Sequence, residues 1–399
     1  MAEPGSPADV LIVGGGVAAL ETLMALRDLA GDRVRVTLVA PEPDFVYRPM
    51  AVAEPFGLGE ARRYPLRRIV EDFGADLVQA GVAALDAPAG RVALRSGDTM
   101  TYDTLVLAPG ARMLPAFDDA VTFSGPGSGP EMRALLDELE QRRVRRIAFV
   151  APTMVGWTLP LYELALLTGR HTITRDLQVE LVLVTPEQRP LALFGDGPSG
   201  AVAELLTAAG IEFIGGSHVD LRDGAVRLIP GGRAFGAERL VALPLVRGPK
   251  LEGVPAERDF GFIPVDRHGR VDELDGVYAA GDATNFPVKQ GGLAAQQADA
   301  VAEHVAARHG ARLEPSPFHP VLRGLLFAGG PERYMRADQQ GVGAVAAQAL
   351  WWPPTKIAGR YLAPYLYERE AAAVPGPAPE GFADLEVPLD LTAAAPVRG

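Results

Sequence analysis

The chain has 399 residues, a formal net charge of −12, 48% apolar and 22% charged residues. That length accommodates two domains and a terminal extension, and the acidic balance argues against a nucleic-acid partner, which would require a basic face. There is no cysteine, so disulfides, thiolate metal sites and redox steps carried on sulfur are excluded.

Met1–Pro7 are small, polar residues and are expected to be disordered. No basic region leads into an apolar run, and no run approaches the ~18 apolar residues of a membrane span. The expected location is therefore cytoplasmic, with peripheral membrane contact left open. Val10–Val13 is an apolar run of the kind found in buried parallel strands. A glycine cluster follows, then a helical pattern with Ala19, Leu23, Leu26 and Ala30 on one face, ending near Gly31. Val34–Val39 is a second strand, which completes a strand–turn–helix–strand unit.

The glycine cluster reads Gly14-Gly15-Gly16-Val17-Ala18-Ala19 and matches G-x-G-x-x-G/A. Gly14 permits the tight turn, Gly16 lets a diphosphate approach the backbone, and Ala19 is small enough for helix and strand to pack. The helix N-terminus, at Val17 and Ala18, then offers amides and a positive dipole end to the phosphates. A structural turn is the competing reading. The acid that usually binds the adenosine ribose is absent, because the strand ends Val39-Ala40-Pro41, so Glu42 or water must substitute. Gly81-Val82 could border an adenine through its backbone, or be ordinary strand.

Further along, Leu105–Leu107 is a strand running into Ala108-Pro109-Gly110, with Arg112 just beyond. The unit then recurs: strand Arg146–Val150, a helix over Val155–Leu167 that must absorb Pro160 early or kink, strand Val179–Val184, helix Ala201–Ala209 and strand Ile211–Ile214. Val277–Ala280 delivers Gly281-Asp282 at a strand end, where an acid can accept hydrogen bonds from a ribityl chain. NAD has no such chain, so this signature points to FAD. A helix opening at Gly291-Gly292-Leu293 would aim its N-terminus at a flavin, and Lys289 just before it would add positive charge, unless it is a solvated loop lysine.

In this order the motifs resemble the two-dinucleotide-binding-domain flavoproteins, which are pyridine nucleotide-disulfide oxidoreductase-like. They look most similar to the sulfide:quinone oxidoreductase and type II NADH dehydrogenase branch, over roughly residues 8 to 310. The resemblance implies that Phe45–Pro49 packs by the flavin, with Arg48 and Pro49 closest, and that Lys289 lies near the ring. It also implies an α/β fold of two Rossmann-like domains. The FAD domain would comprise 1–112 and 246–330, the second domain would be inserted at 113–245, and 331–399 would form a C-terminal lid, dimer or interface segment.

The second unit departs from an NAD site. Its glycine positions read Ala151, Thr153 and Gly156, with Pro152 between them. Ala151 and Thr153 put Cβ atoms where a diphosphate would lie, which counts against bound NAD(P)H. Tyr162-Glu163 resembles the sulfide:quinone group, but a cysteine position of that group falls near Trp157, so its sulfur mechanism is excluded. Glu163 is a candidate base, against the alternative of an ordinary helix glutamate. The six histidines show no ligand spacing, and no metal is expected. Trp351, Trp352, Tyr361, Tyr365 and Tyr367 lie in a proline-punctuated segment. That segment would be an interfacial element reaching a membrane quinone, or else a lid or dimer contact. A loose or docked tail follows from Val374.

These features predict an FAD-dependent oxidoreductase passing two electrons from an unidentified donor to a quinone or other small acceptor. An NAD(P)H dehydrogenase with an atypical nucleotide site, and a non-catalytic flavin-binding sensor or partner protein, are the alternatives.

Overall fold

A computed structural model describes residues 6–153, 156–222, 225–337 and 343–370. Most of the N-terminal lead and the tail from 371 lie outside the described residues. The described helices are α1 (Val17–Ala30), α2 (Leu66–Asp72), α3 (Gly129–Glu140), α4 (Leu159–Thr174), α5 (Asp196–Ala208), α6 (Gly291–Arg308) and α7 (Leu362–Glu370).

Two five-stranded parallel sheets organise the chain. The first runs in the order Val277–Ala279, Thr104–Leu107, Ala8–Val13, Val34–Val39, Asp76–Val78. Its central strands are apolar and buried on both faces, as parallel strands covered by helices must be. The order reverses at Ala8–Val13, whose neighbours are the second and a much later strand. Such a reversal opens a crevice at the carboxyl ends of the strands, and the glycine cluster sits there. Gly14 has φ of +127°, and a Cβ on it would lie 2.1 Å from the carbonyl oxygen of Ala108. Its N–H donates to Val39 O (2.8 Å), while the Ala108 N–H donates to Val13 O (2.8 Å). The turn is thus pressed between two neighbouring strands.

The second sheet runs Ala120–Thr122, Arg239–Ala242, Arg146–Val150, Glu180–Val184, Ile211–Ile214. An antiparallel pair, Arg112–Leu114 with Leu245–Arg247, lies where the chain passes into and out of this sheet. The helix expected over Val155–Leu167 starts later and runs longer, as α4. Pro160 falls in its first turn, where the missing N–H breaks no helical bond.

Beyond α6 three antiparallel strands form: Arg323–Leu326, Arg333–Arg336 and Ala344–Ala346. The aromatic segment folds onto the body. Trp351 is 5% exposed, packs on Tyr334 (ring centroids 5.0 Å) and donates its indole N–H to Thr355 O. Tyr361 and Tyr365 donate to Asp28 and Asp72. Leu362 and Leu366 bury in the core built around α1, each contributing roughly 1.5–3 kcal/mol. These side chains are therefore committed within the fold rather than presented as an interfacial face. Among the described residues, no helix is long and apolar enough to cross a membrane.

The geometry at the turn predicts a severe effect of Gly14→Ala. The positive φ strains any side chain there, and the methyl meets backbone rather than a movable side chain, so the apoprotein should lose about 3 kcal/mol or more. Chemical denaturation of the apoprotein measures this. The adjacent Gly16→Ala, whose Cβ meets nothing within 4 Å, should leave apoprotein stability nearly unchanged.

Candidate functional site

A cavity of about 930 Å³ extends from the glycine turn across to the second sheet, near the upper end of the usual range for ligand pockets. Gly14, Gly16, Val17, Ala18, Glu42, Arg48, Pro49, Val82, Ala108, Pro109, Gly110, Arg112, Gly281, Asp282, Lys289 and Glu163 all line it. Three expected residues do not. Ala19 is fully buried and serves as packing behind the turn. Gly292 and Leu293 lie behind the lining, and the Leu293 N–H is taken by the Gln290 side chain (2.9 Å). Gln290, Gly291 and Ala294 line the cavity in their place.

The walls fit an elongated, doubly anionic group. No side chain caps the N-terminus of α1, so its first-turn amides face outward beneath the open space over Gly16. Six cationic side chains line the cavity (Arg48, Arg95, Arg112, Lys250, Lys289, Lys356) against four carboxylates (Glu42, Asp44, Glu163, Asp282). That balance is opposite in sign to the whole chain and favours an anionic occupant. Asp282 sits at depth beyond the strand Val277–Ala279. Desolvation raises its pKa, and Lys289 and Arg48 oppose this through their charge. The turn before it requires Gly281, with φ of +76° and a Cβ position 3.0 Å from the Ala18 methyl. The cavity therefore offers amides for a diphosphate at one end and an acceptor carboxylate for hydroxyls at Asp282, which is the donor and acceptor set that FAD requires.

The family description for pyridine nucleotide-disulphide oxidoreductases matches residues 8–304. The chain belongs to that family. It is an FAD-dependent oxidoreductase, and NAD(P)H serves as a substrate within the family. The ferredoxin reductase component of a chlorobenzene dioxygenase from Cupriavidus sp. (strain PS12) is 27% identical over 75% of each chain. The sulfide-quinone reductase of Aquifex aeolicus is 24% identical over 49% of this chain and 47% of that one. The solved sulfide:quinone oxidoreductase of Aquifex aeolicus superposes with a TM-score of 0.77, at 20% identity, over 85% of this chain and 87% of that chain. The oxidoreductase thus shares the fold expected from its motifs. Membership also sets aside the reading of a non-catalytic flavin-binding protein.

Lys289 lies over the Phe262 ring (3.6 Å to the centroid) and donates to Thr284 O (2.5 Å). Burial lowers its pKa to about 8, with Asp282 and Glu257 resisting the shift. At neutral pH it is still mostly charged.

Glu163, the candidate base, lines the cavity but is held: its Oε1 accepts from Lys356 Nζ (2.6 Å) and from the Phe327 N–H (2.7 Å). Both side chains are nearly inaccessible, at 1% and 6%. Desolvation raises the Glu163 pKa, and Lys356 counters it. Lys356 also donates to Pro49 O (3.2 Å), so it joins α4, the loop at Pro49 and the C-terminal segment. Lys356 lies 193 residues from Glu163, and no local pattern indicated that they pair. Trp157, Ile357 and Gln290 also line the cavity without having been singled out for it.

Gly156, the glycine retained in the second unit, is used for packing. A Cβ on Gly156 would meet Lys289 Cγ at 2.5 Å, and Gly156 O accepts the Lys289 N–H (3.1 Å). Ala151 and Pro152 are buried. Glu187, three residues past the strand Glu180–Val184, accepts the Tyr162 hydroxyl (2.8 Å). Desolvation raises its pKa to about 7, opposed by bonds from Tyr162, Thr158 and Ala192.

Two predictions follow from these carboxyls. Lys356→Met strands Glu163 as a buried, uncompensated acid and should cost about 3–5 kcal/mol. The double variant with Glu163→Gln should recover most of that in thermal melts. Glu187 keeps its proton in the fold up to about pH 7 but loses it near 4.5 when unfolded. Its contribution to stability is therefore present at low pH and is lost as pH rises through that window, by roughly 3 kcal/mol at most. Glu187→Gln should raise the melting temperature at pH 8 and leave it little changed at pH 4.5.

Proposed function

We propose that this oxidoreductase takes two electrons from a small-molecule donor other than NAD(P)H and passes them to a quinone or another small acceptor. The observation that carries this reading is the packing of Gly156, in the second glycine turn, against Lys289. Ala151 and Pro152 are buried, and Glu187 accepts the Tyr162 hydroxyl. A dinucleotide diphosphate approaching Gly156 would have to displace the Lys289 side chain. The absence of cysteine excludes a route through protein-bound sulfur.

FAD, when bound, supplies the two-electron chemistry, and the protein supplies position and charge. Gly14, Gly16 and the first turn of α1 would hold the diphosphate, and Asp282 the ribityl hydroxyls. Lys289 keeps a cation at the cavity wall, which stabilises negative charge developing nearby. Val52, Phe123, Trp157, Leu159, Leu243, Leu325 and Ile357 give the side facing the second sheet an apolar surface. Such a surface suits a flat aromatic acceptor and excludes water. The Lys356 ammonium, already held by Glu163, is a proton-bearing group at that wall.

An NAD(P)H dehydrogenase is the second reading, favoured by the similarity to a dioxygenase ferredoxin reductase component over three quarters of both chains. A cytoplasmic location, contact with a membrane surface to reach quinone, and a homodimer belong to the proposal and rest on the sequence reading.

Anaerobic stopped-flow mixing separates the donors. NADH and NADPH at millimolar concentration should leave the flavin absorbance band nearly unbleached over seconds, whereas chemically reduced protein should be reoxidised rapidly by a soluble quinone. Fast bleaching by either nicotinamide would instead establish the second reading.

A further inference from the structure

Glu21 is a fully buried carboxylate that the proposed chemistry does not use. It lies in α1, one turn after the glycine motif, on the helix whose N-terminus faces the cavity. Its two oxygens accept the backbone N–H groups of Tyr361 (2.7 Å) and Leu362 (2.8 Å). An acid in this position on a solvent-shielded helix face has a large desolvation cost, which the two amides offset. The partners belong to the strap 355–362, which leads into α7. Three glycines let the strap lie against the cofactor helices. A Cβ on Gly359 would sit 2.7 Å from Glu21 Oε2, one on Gly291 would meet Ile357 at 3.0 Å, and one on Gly292 would meet Ala358 O at 3.4 Å. The strap is thus seated across α1 and the first turn of α6. It carries Lys356 and Ile357 into the cavity wall, and the Ile357 N–H donates to Tyr47 Oη (3.1 Å), beside Arg48 and Pro49.

We propose that Glu21 is a positioning residue that clamps this strap over the cofactor cavity, so that docking of the C-terminal segment and retention of FAD are one coupled equilibrium. The strap packs on Glu21 in the second turn of α1 and on Gly291 and Gly292 at the start of α6, and it supplies part of the wall. A bound FAD therefore favours the docked strap, and by linkage the docked strap tightens FAD binding by the same factor, proposed to act through slower release. The proposal needs FAD binding alone and is independent of which donor or acceptor the enzyme uses. Failure of the donor reading leaves it standing.

The test uses the full-length protein, with and without FAD, and two readouts. Trypsin can cut the strap after Lys356 and Arg360. In wild-type protein, cleavage at these bonds, followed by mass spectrometry, should be roughly tenfold slower with FAD than without, a size typical of coupled sites. Gly359→Ala presses a methyl towards Glu21 from the strap side and leaves the helices around the cofactor unaltered. FAD release, followed by recovery of free-FAD fluorescence on dilution, should be roughly tenfold faster in this variant. Glu21→Gln keeps the volume and one acceptor oxygen and should fall between the two. Strap cleavage that is equal with and without FAD overturns the proposal. So does unchanged FAD release in a variant whose strap is cut faster. If Gly359→Ala does not loosen the strap, the wild-type comparison with and without FAD decides alone.

Discussion

The contact between Gly14 and the carbonyl of Ala108 sets the geometry on which the rest depends. The strand Ala8–Val13 must turn away at once, between two parallel neighbours, with no room for a side chain. Any β-carbon there would push the neighbouring strands apart or move the start of α1. With glycine in place, the helix starts close to the sheet, and its uncapped amides point into the crevice where strand order reverses. The later turn at Gly281 repeats this constraint from the other side, against the Ala18 methyl. Two close approaches between small residues thus define one end of the cavity and place Asp282 beside it.

Charge inside the cavity follows a second rule: ionised groups there are kept in pairs or near opposing charge. Glu163 is held by Lys356, Asp282 feels Lys289 and Arg48, and burial makes the Lys289 ammonium easier to deprotonate. Separating any of these pairs would leave a charge in a poorly solvated place. The arrangement joins parts of the chain that are far apart. α4 comes from the second sheet's domain, Lys356 from the C-terminal segment, and Pro49 from the loop after the second strand. The wall facing the second sheet is therefore a property of the assembled molecule.

The same economy of space explains why the second strand–turn–helix unit differs from the first. Gly156 is retained, but its missing side chain makes room for Lys289 rather than for a phosphate. Glu187, beyond the next strand, accepts the hydroxyl of Tyr162 on α4. A Rossmann-like scaffold thus persists with its ligand-facing groups turned to internal packing.

Much of the first sheet and its turn was legible in the residues themselves. Apolar runs of strand length, a G-x-G-x-x-A turn and a late Gly-Asp strand end are local patterns, and local patterns are set by backbone sterics and periodicity. These were enough to indicate the α/β class, the flavin and most of the cavity wall near Gly14, Arg48 and Asp282. The opening of α6 at Gly291 was legible, but Gly292 and Leu293 do not line the cavity while their neighbours Gly291 and Ala294 do, and the Leu293 N–H is taken by the Gln290 side chain. What the sequence could not show were contacts between residues far apart in the chain. Examples are Lys356 with Glu163, Glu21 with the amides of Tyr361 and Leu362, and Gly156 with Lys289. Neither partner in such a pair carries a signature of the other, since each is an ordinary residue until folding brings the two together in a site with little water. The sequence by itself thus determined the fold class and the cofactor turn, through short-range steric rules. Only the tertiary structure decided which buried charges are satisfied and that the C-terminal strap closes over the cavity, because burial and pairing are set by long-range packing.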